Sequence, residues 1–175
     1  MANFNFPPIQ GWMSEGEMEW LYEQAKKMVN VVEIGSWKGR STYALLSGCK
    51  GSVYAVDHWK GSPDEIDQAH AEAKTTDIYA IFLNNVGHFK NLKVMKTSSE
   101  EAAKHFPPKS VDMVFIDGCH AYEYVRKDID LWLPRTRRLI CGHDCGQAGV
   151  PQATHEVFGQ VETVHGIWFR WLSDN

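Results

Sequence analysis

No apolar run in the sequence approaches the roughly 20 residues that a membrane helix needs. The opening stretch MANFNFPPIQG also lacks the charged-then-apolar layout of a signal peptide. A membrane partner is not expected, and the chain reads as cytoplasmic. There is no dense Lys/Arg block, and the formal net charge is −4, so a nucleic-acid partner gets no electrostatic support. The four cysteines, at 49, 119, 141 and 145, are too few and wrongly spaced for a disulfide framework, which points to reduced thiols. Repeats and low-complexity segments are missing. So are two phosphate-binding motifs. No G-x-x-x-x-G-K-[ST] occurs, which argues against a nucleoside triphosphate cradle, and Ser36-Trp37 after Gly35 break any G-x-G-x-x-G.

What is present is a globular composition: 43% hydrophobic and 12% aromatic residues, with seven tryptophans. At 175 residues one domain, 1–175, is expected. Its centre is the run VVEIGSWKGRS, from Val31 to Ser41. Val29, Val31, Val32 and Ile34 read as a buried strand, Gly35, Ser36 and Gly39 as a loop, and Ser41 to Leu46 as the start of a helix. Strand, glycine loop and helix open the ligand site of a doubly wound fold, where backbone N–H groups at the helix N-terminus are free. Glu33, at the end of the strand, suits a ligand that carries cationic groups.

The remaining elements alternate. Ser14-Glu15-Gly16-Glu17 is a capping box, and the spacing of Met18, Leu21, Tyr22, Ala25 and Met28 predicts a helix over Glu15 to Met28. SVYAVD, Ser52 to Asp57, is a second strand. Asp57 lies about 20 residues past the glycine loop, where a carboxylate can accept hydrogen bonds from ribose hydroxyls. Ser62-Pro63-Asp64-Glu65 signals a helix start, and Asp77 to Val86 a further helix. The long segment 58–90 has the length to cover a site or to form surface helices of a crossover. Leu92 to Lys96 is a third strand, and Ser98 to Glu101 starts a helix with another capping box. Val111 to Ile116 is a continuous apolar run, hence a central strand. Tyr122, Val125, Ile129 and Trp132 mark a helix face that Pro134 ends. Arg138 to Cys141 is a fifth strand, and Pro151 opens a helix to Phe158. Val161 to Val164 and Ile167 to Trp171 flank His165-Gly166 as a hairpin. Such alternation predicts an α/β, doubly wound, Rossmann-like sheet, mostly parallel, with one antiparallel strand near the C-terminus.

Ligands of such sheets bind beyond the carboxyl ends of the strands, where Glu33, Asp57, Asp117 and Asp144 fall. If the fourth and fifth strands are neighbours, Asp117 and Asp144 lie ~5 Å apart. His120 and His143 accompany them, and two carboxylates with two imidazoles could hold a divalent metal. Cys141 and Cys145 around His143 do not complete a zinc set, since Cys141 lies inside the strand and a second Cys/His pair is missing.

The runs VVEIGSWKGRST, VYAVDHWKGS, VDMVFIDGCHAYEYVRKDIDLWLP and GHDCGQAGV resemble class I S-adenosylmethionine-dependent methyltransferases. The resemblance extends from about Ile9 to Trp171 and is nearest to a small bacterial group that includes macrolide sugar O-methyltransferases and proteins labelled cephalosporin hydroxylase. It implies a seven-stranded sheet with an antiparallel last strand. It implies that Glu33, Gly35 and Gly39 shape the methionine end of a cofactor pocket, with Ser36, Trp37, Lys38 and Ser41 nearby. Asp57 would hold the ribose, beside His58 and Trp59, Ser98 would reach the adenine, and Asp117 would face the methionine amino group or a metal. In the sugar-methylating relatives a carboxylate pair on the fifth strand joins that aspartate on Mg²⁺. Here the pair reads His143-Asp144, so Asp117, His143 and Asp144 are the expected ligands for Mg²⁺ or Mn²⁺.

The resulting expectation is O-methylation of a small hydroxylated acceptor, a sugar or phenol, with His120 as general base and Asp117 beside it. Three other readings remain at this level. His120, His143 and one aspartate could imitate an iron site for a hydroxylase or hydrolase. Asp57 would also suit a nicotinamide dehydrogenase. A binding module could retain the pocket alone. The acceptor and the oligomeric state are open, with a homodimer as one option.

Overall fold

The computed structural model describes residues 5–61, 68–147 and 149–173; the expected helix start at Ser62 to Glu65 lies outside them. Seven helices and seven strands follow in the order α1 (Glu15–Ala25), β1 (Asn30–Ile34), α2 (Arg40–Gly48), β2 (Ser52–Asp57), α3 (Gln68–Thr75), α4 (Ile78–Val86), β3 (Leu92–Lys96), α5 (Ser99–Ala103), β4 (Val111–Ile116), α6 (Tyr122–Trp132), β5 (Thr136–Gly142), α7 (Val150–Phe158), β6 (Glu162–Val164) and β7 (Ile167–Trp171). A short 3₁₀ turn, Leu133–Arg135, carries Pro134 and separates α6 from β5.

The strands form one sheet in the order β3-β2-β1-β4-β5-β7-β6. All neighbours are parallel except β7, which runs antiparallel to both β5 and β6. The period-2 alternation of side chains explains why the sheet needs helices on both faces. On β1, Val31 joins a core with α1, α2 and α4, whereas Val32 and Ile34 join a second core with α5, α6 and α7. On β4, Met113 and Phe115 face the first core, and Val114 and Ile116 the second. All six β4 residues are buried, as expected for a central strand. Each such large apolar side chain contributes about 1.5–3 kcal/mol through burial.

Several boundaries differ from expectation; Val29, read as part of the first buried strand, is exposed just before β1. The first helix ends at Ala25, not Met28, because residues 26–28 close into tight turns, Lys27 N–H to Gln24 O and Met28 N–H to Ala25 O, that still bury Met28. β5 runs from Thr136 to Gly142, longer than Arg138 to Cys141, since Thr136 already pairs with Val111 across a register shift. At α5 only half the expected capping box forms. Ser98 Oγ accepts from the Glu101 amide, while the Glu101 carboxylate takes Lys104 instead. Among the described residues, no helix is long and apolar enough to cross a membrane.

Candidate active site

Parallel pairing aligns the ends of β1, β2, β4 and β5, so the loops that follow them share one rim. At the first, β1 turns into α2. Gly35 sits at φ 84°, and a Cβ there would lie 2.1 Å from the Asp117 carbonyl oxygen, so only glycine fits between two adjacent strand ends. Glu33 is wholly buried beneath the loop. Its carboxyl accepts from the hydroxyls of Ser36 (2.7 Å), Ser41 (2.6 Å) and Thr42 (2.5 Å). Burial pushes its pKa up to about 7 against those hydrogen bonds. Glu33 therefore pins the loop to the first turn of α2, and it does not line the cavity above.

The loop is fastened from the β2 side. Asp57 Oδ2 accepts from the amides of Ser36 and Trp37, both 2.9 Å, and Oδ1 from the Trp59 amide at 2.6 Å. Trp37 and Trp59 hold φ values of 45° and 56°, uncommon for bulky residues, and these hydrogen bonds offset the strain. Trp59 donates its indole N–H to Trp37 O (2.8 Å) and packs on Tyr79 and Phe82. It supports the loop from the core and does not reach the cavity; Gly39, the N-cap of α2, is likewise behind the wall. His58 is half exposed at the rim, and its Nδ1 accepts from the Lys60 amide at 3.0 Å.

Lys38 is 3% exposed. Its ammonium donates to Gln10 Oε1 and Glu72 Oε1, both at 2.6 Å, joining the loop to the segment before α1 and to α3. Within the described part of 58–90, only His58 and Gly61 line the cavity; α4 is an inner support, with Phe82 and Val86 against Gly39.

Between these loops lies a cavity of ≈ 930 Å³. Its volume is at the upper end of small-molecule sites, with room for two ligands. One end is bounded by Asp57 and Ser98, the N-cap of α5, and by Ser99 and Asp128, which sequence reasoning did not single out. Asp128 stands at a core position of α6. Burial raises its pKa to about 6, opposed by the Ser99 hydroxyl that donates to Oδ1. Trp132 Nε1 donates to Ser99 Oγ at 2.8 Å and completes the chain. A polar residue in an otherwise apolar helix stripe, with Val125, Ile129 and Trp132, was the available signal.

The other end gathers Asp117, His120, His143 and Asp144. Asp144 adopts φ 54°, which short polar residues tolerate, and this turns its carboxylate back over the β4 end. His120 Nε2 lies 2.9 Å from Asp144 Oδ2 and 3.8 Å from Asp117 Oδ1. His143 Nδ1 lies 3.2 Å from Asp144 Oδ2 and 3.5 Å from Asp117 Oδ1. Hydrogen bonds that it donates to Asp117 and Asp144 raise His120 to about 10 against burial. Burial would lower His143, yet the same two carboxylates raise it to about 11. Burial would raise both aspartates, but the imidazoles hold them below the usual carboxylate range. The two carboxylates thus favour the protonated form of both imidazoles, and a bound cation would take the place of that proton on His120. His120 is not the N-cap of α6; that place belongs to Ala121, which makes no side-chain cap.

The metal set expected from the sequence, Asp117, His143 and Asp144, shares its two carboxylates with a compact group in which the imidazole is that of His120. Asp117, His120 and Asp144 bring one ligand atom each within 4.8 Å of one another. His143 faces the same two carboxylates through Nδ1, while its Nε2 is turned to Glu17 Oε1 at 3.0 Å. Cys141 is wholly buried and its thiol donates to Val114 O, so burial keeps it a thiol and not a ligand.

Residues 32–145 match a family model described as a methyltransferase domain. The uncharacterized protein y4gI of Sinorhizobium fredii is 26% identical over 147 residues, which is 79% of this chain but 16% of that protein, so the chain spans only a small part of that relative. Three solved structures share the fold. Cofactor-bound Rv0187 from MTB aligns with TM-score 0.68 and 20% identity over 97% of this chain and 84% of its own. SAH-bound methyltransferase PaMTH1 of Podospora anserina gives 0.63 and 16% over 93% and 80%. The O-methyltransferase of Bacillus cereus in complex with SAH gives 0.62 and 16% over 96% and 84%. The family match runs from β1 through the Asp117–Asp144 rim, and with the 3-2-1-4-5-7-6 sheet it makes this chain a member of the class I S-adenosylmethionine-dependent methyltransferases.

Proposed function

We propose that the protein transfers the methyl group of S-adenosylmethionine to a hydroxyl of a small ring-shaped acceptor, with a divalent cation held by Asp117, His120 and Asp144. The observation that carries this reading is the convergence of those three ligand atoms on a cavity that Asp57 and Asp128 also line. The donor types fit. Asp57 offers a carboxylate to ribose hydroxyls, Ser98, Ser99 and Asp128 offer polar atoms to adenine, and Gly35 and Ser36 bring backbone to the methionine end. Two carboxylates and an imidazole suit Mn²⁺ better than Mg²⁺, which prefers oxygen ligands alone.

A sulfonium methyl is already activated, so the protein's work is to align the acceptor oxygen and remove its proton. A bound cation supplies Lewis acidity that lowers the pKa of that hydroxyl. Asp117 and Asp144 would hold the charge in place, and the departing proton would pass to water at the open rim. Trp12 is 65% exposed on the cavity wall, with its ring centroid 6.1 Å from that of Trp37. A sugar or phenol ring can stack on such a pair, which supports the ring-shaped acceptor. The deciding experiment follows labelled methyl transfer to a panel of sugars and phenols before and after chelation. Activity is expected to fall to background and to return with Mn²⁺. Asp144→Asn should remove the cation response and keep S-adenosylhomocysteine affinity within about twofold, since the cofactor groups assigned above are other residues. Full activity after exhaustive chelation rules out the cation and leaves the His120–Asp144 pair to act alone.

A further inference from the structure

Glu17 belongs to the first helix, far in sequence from the rim, yet it is buried against it. Its Oε2 accepts from the Ser14 amide (2.6 Å) and hydroxyl (2.8 Å), and the Glu17 amide donates back to Ser14 Oγ (3.4 Å), which completes the capping box. Its Oε1 faces the opposite way and accepts from the Gly166 amide (3.0 Å) and from His143 Nε2 (3.0 Å). A helix cap needs only the first pair. The second pair requires space, and Gly166 provides it: a Cβ there would lie 2.3 Å from Glu17 Oε1. One carboxylate thereby joins α1, the β5 end and the hairpin turn between β6 and β7.

We infer that Glu17 is a positioning residue, which fixes the His143 ring through Nε2 so that Nδ1 is presented to the oxygens of Asp117 and Asp144. A carboxylate accepts only, so the hydrogen at Nε2 is specified by its partner. With Nε2 committed, Nδ1 is the only ring nitrogen left for the rim, at 3.2 Å from Asp144 and 3.5 Å from Asp117. The arrangement is the carboxylate–histidine relay that orients groups around reacting centres, where losing the outer partner reduces activity or metal affinity about 10–100-fold. The inference rests on the reading of Asp117, His120 and Asp144 as the reacting end, and its test includes a measurement independent of turnover.

The test compares Glu17→Ala with Ser14→Ala, which breaks the cap and spares the His143 contact. Imidazole ¹⁵N spectra, Tm, kcat and S-adenosylhomocysteine affinity are read on the same samples. Glu17→Ala should shift the His143 Nε2 resonance and lower kcat by about tenfold or more, with affinity within about twofold. Ser14→Ala should lower Tm and leave the His143 resonances and kcat unchanged. Should Glu17→Ala not fold, Glu17→Met keeps the volume without the oxygens and carries the same readouts. His143 resonances and kcat at wild-type values in the Glu17 variant overturn the inference, as does an equal response in Ser14→Ala. If no acceptor is methylated by the wild type, the imidazole spectra alone decide, so failure of the functional reading stays separate.

Discussion

Asp57 shows what a single side chain does in this site. The sequence placed it at a strand end about 20 residues past the glycine loop, as a ribose acceptor. In the structure three amides of the loops converge on it. Asp57→Ala should therefore weaken S-adenosylhomocysteine binding by roughly 1–3 kcal/mol, because hydroxyls lose a charged acceptor. It should also lower Tm, as the amides of Ser36, Trp37 and Trp59 lose theirs. Calorimetry and thermal melting on one sample read both effects, and unchanged affinity would place the ribose elsewhere. Residues of this kind were legible because a strand end and a motif spacing announce them. Glu17 and Asp128 were not. Glu17 had a complete local explanation as half of a capping box, and nothing in the chain around it reveals a partner 126 positions away. His143 was legible as a rim residue, and its tie to Glu17 was not, for the same reason.

At the scale of the element, the β1–α2 turn was read from its glycines, but its stability depends on the buried carboxyl beneath. Glu33 has its pKa raised from 4.5 to about 7 by burial. Between those values the unfolded chain releases a proton that the folded one keeps. The stability this group contributes is thus complete below about pH 4.5 and is lost as pH rises through 7, a span worth roughly 3 kcal/mol. Glu33→Gln keeps an oxygen for the hydroxyls of Ser36, Ser41 and Thr42 and does not titrate. Its Tm relative to wild type should accordingly be lowest near pH 5 and should rise by pH 8. A difference that stays flat across that range would mean that Glu33 is charged throughout. The same contrast explains the helix ends. Caps at Ser14, Asp77 and Ser98 lie where local chemistry puts them. The ends of α1 and β5 depend on what packs beside them, Met28 in the core and Thr136 across from Val111, and propensity does not carry that information.

For the whole molecule, alternation of strands and helices was enough to foretell a parallel sheet, and a hairpin near the C-terminus to foretell its antiparallel strand. The wall contributed by the opening segment was not foreseen, because residues 9–13 have no periodic pattern and are held by side chains far along the sequence. Arg40 donates through Nε to Met13 O and through one terminal nitrogen to Ile9 O, both at 2.7 Å. Lys38 adds its hydrogen bond to Gln10. Two cations of the first glycine loop and helix thus hold the segment that lines the cavity with Trp12 and Met13. Arg40→Ala removes two charge-assisted hydrogen bonds to backbone carbonyls, each worth about 1.5–3 kcal/mol, while the sheet and both cores keep their contacts. Amide exchange should therefore quicken in residues 9–13 and stay near wild type in β1 and β4, as local opening requires. Ligand affinity should fall with it, because the cavity loses a wall and ordering that segment becomes part of binding. Exchange that quickens evenly across β1 and β4 would show instead that Arg40 supports the whole fold, and unchanged exchange at 9–13 that the segment is held without it.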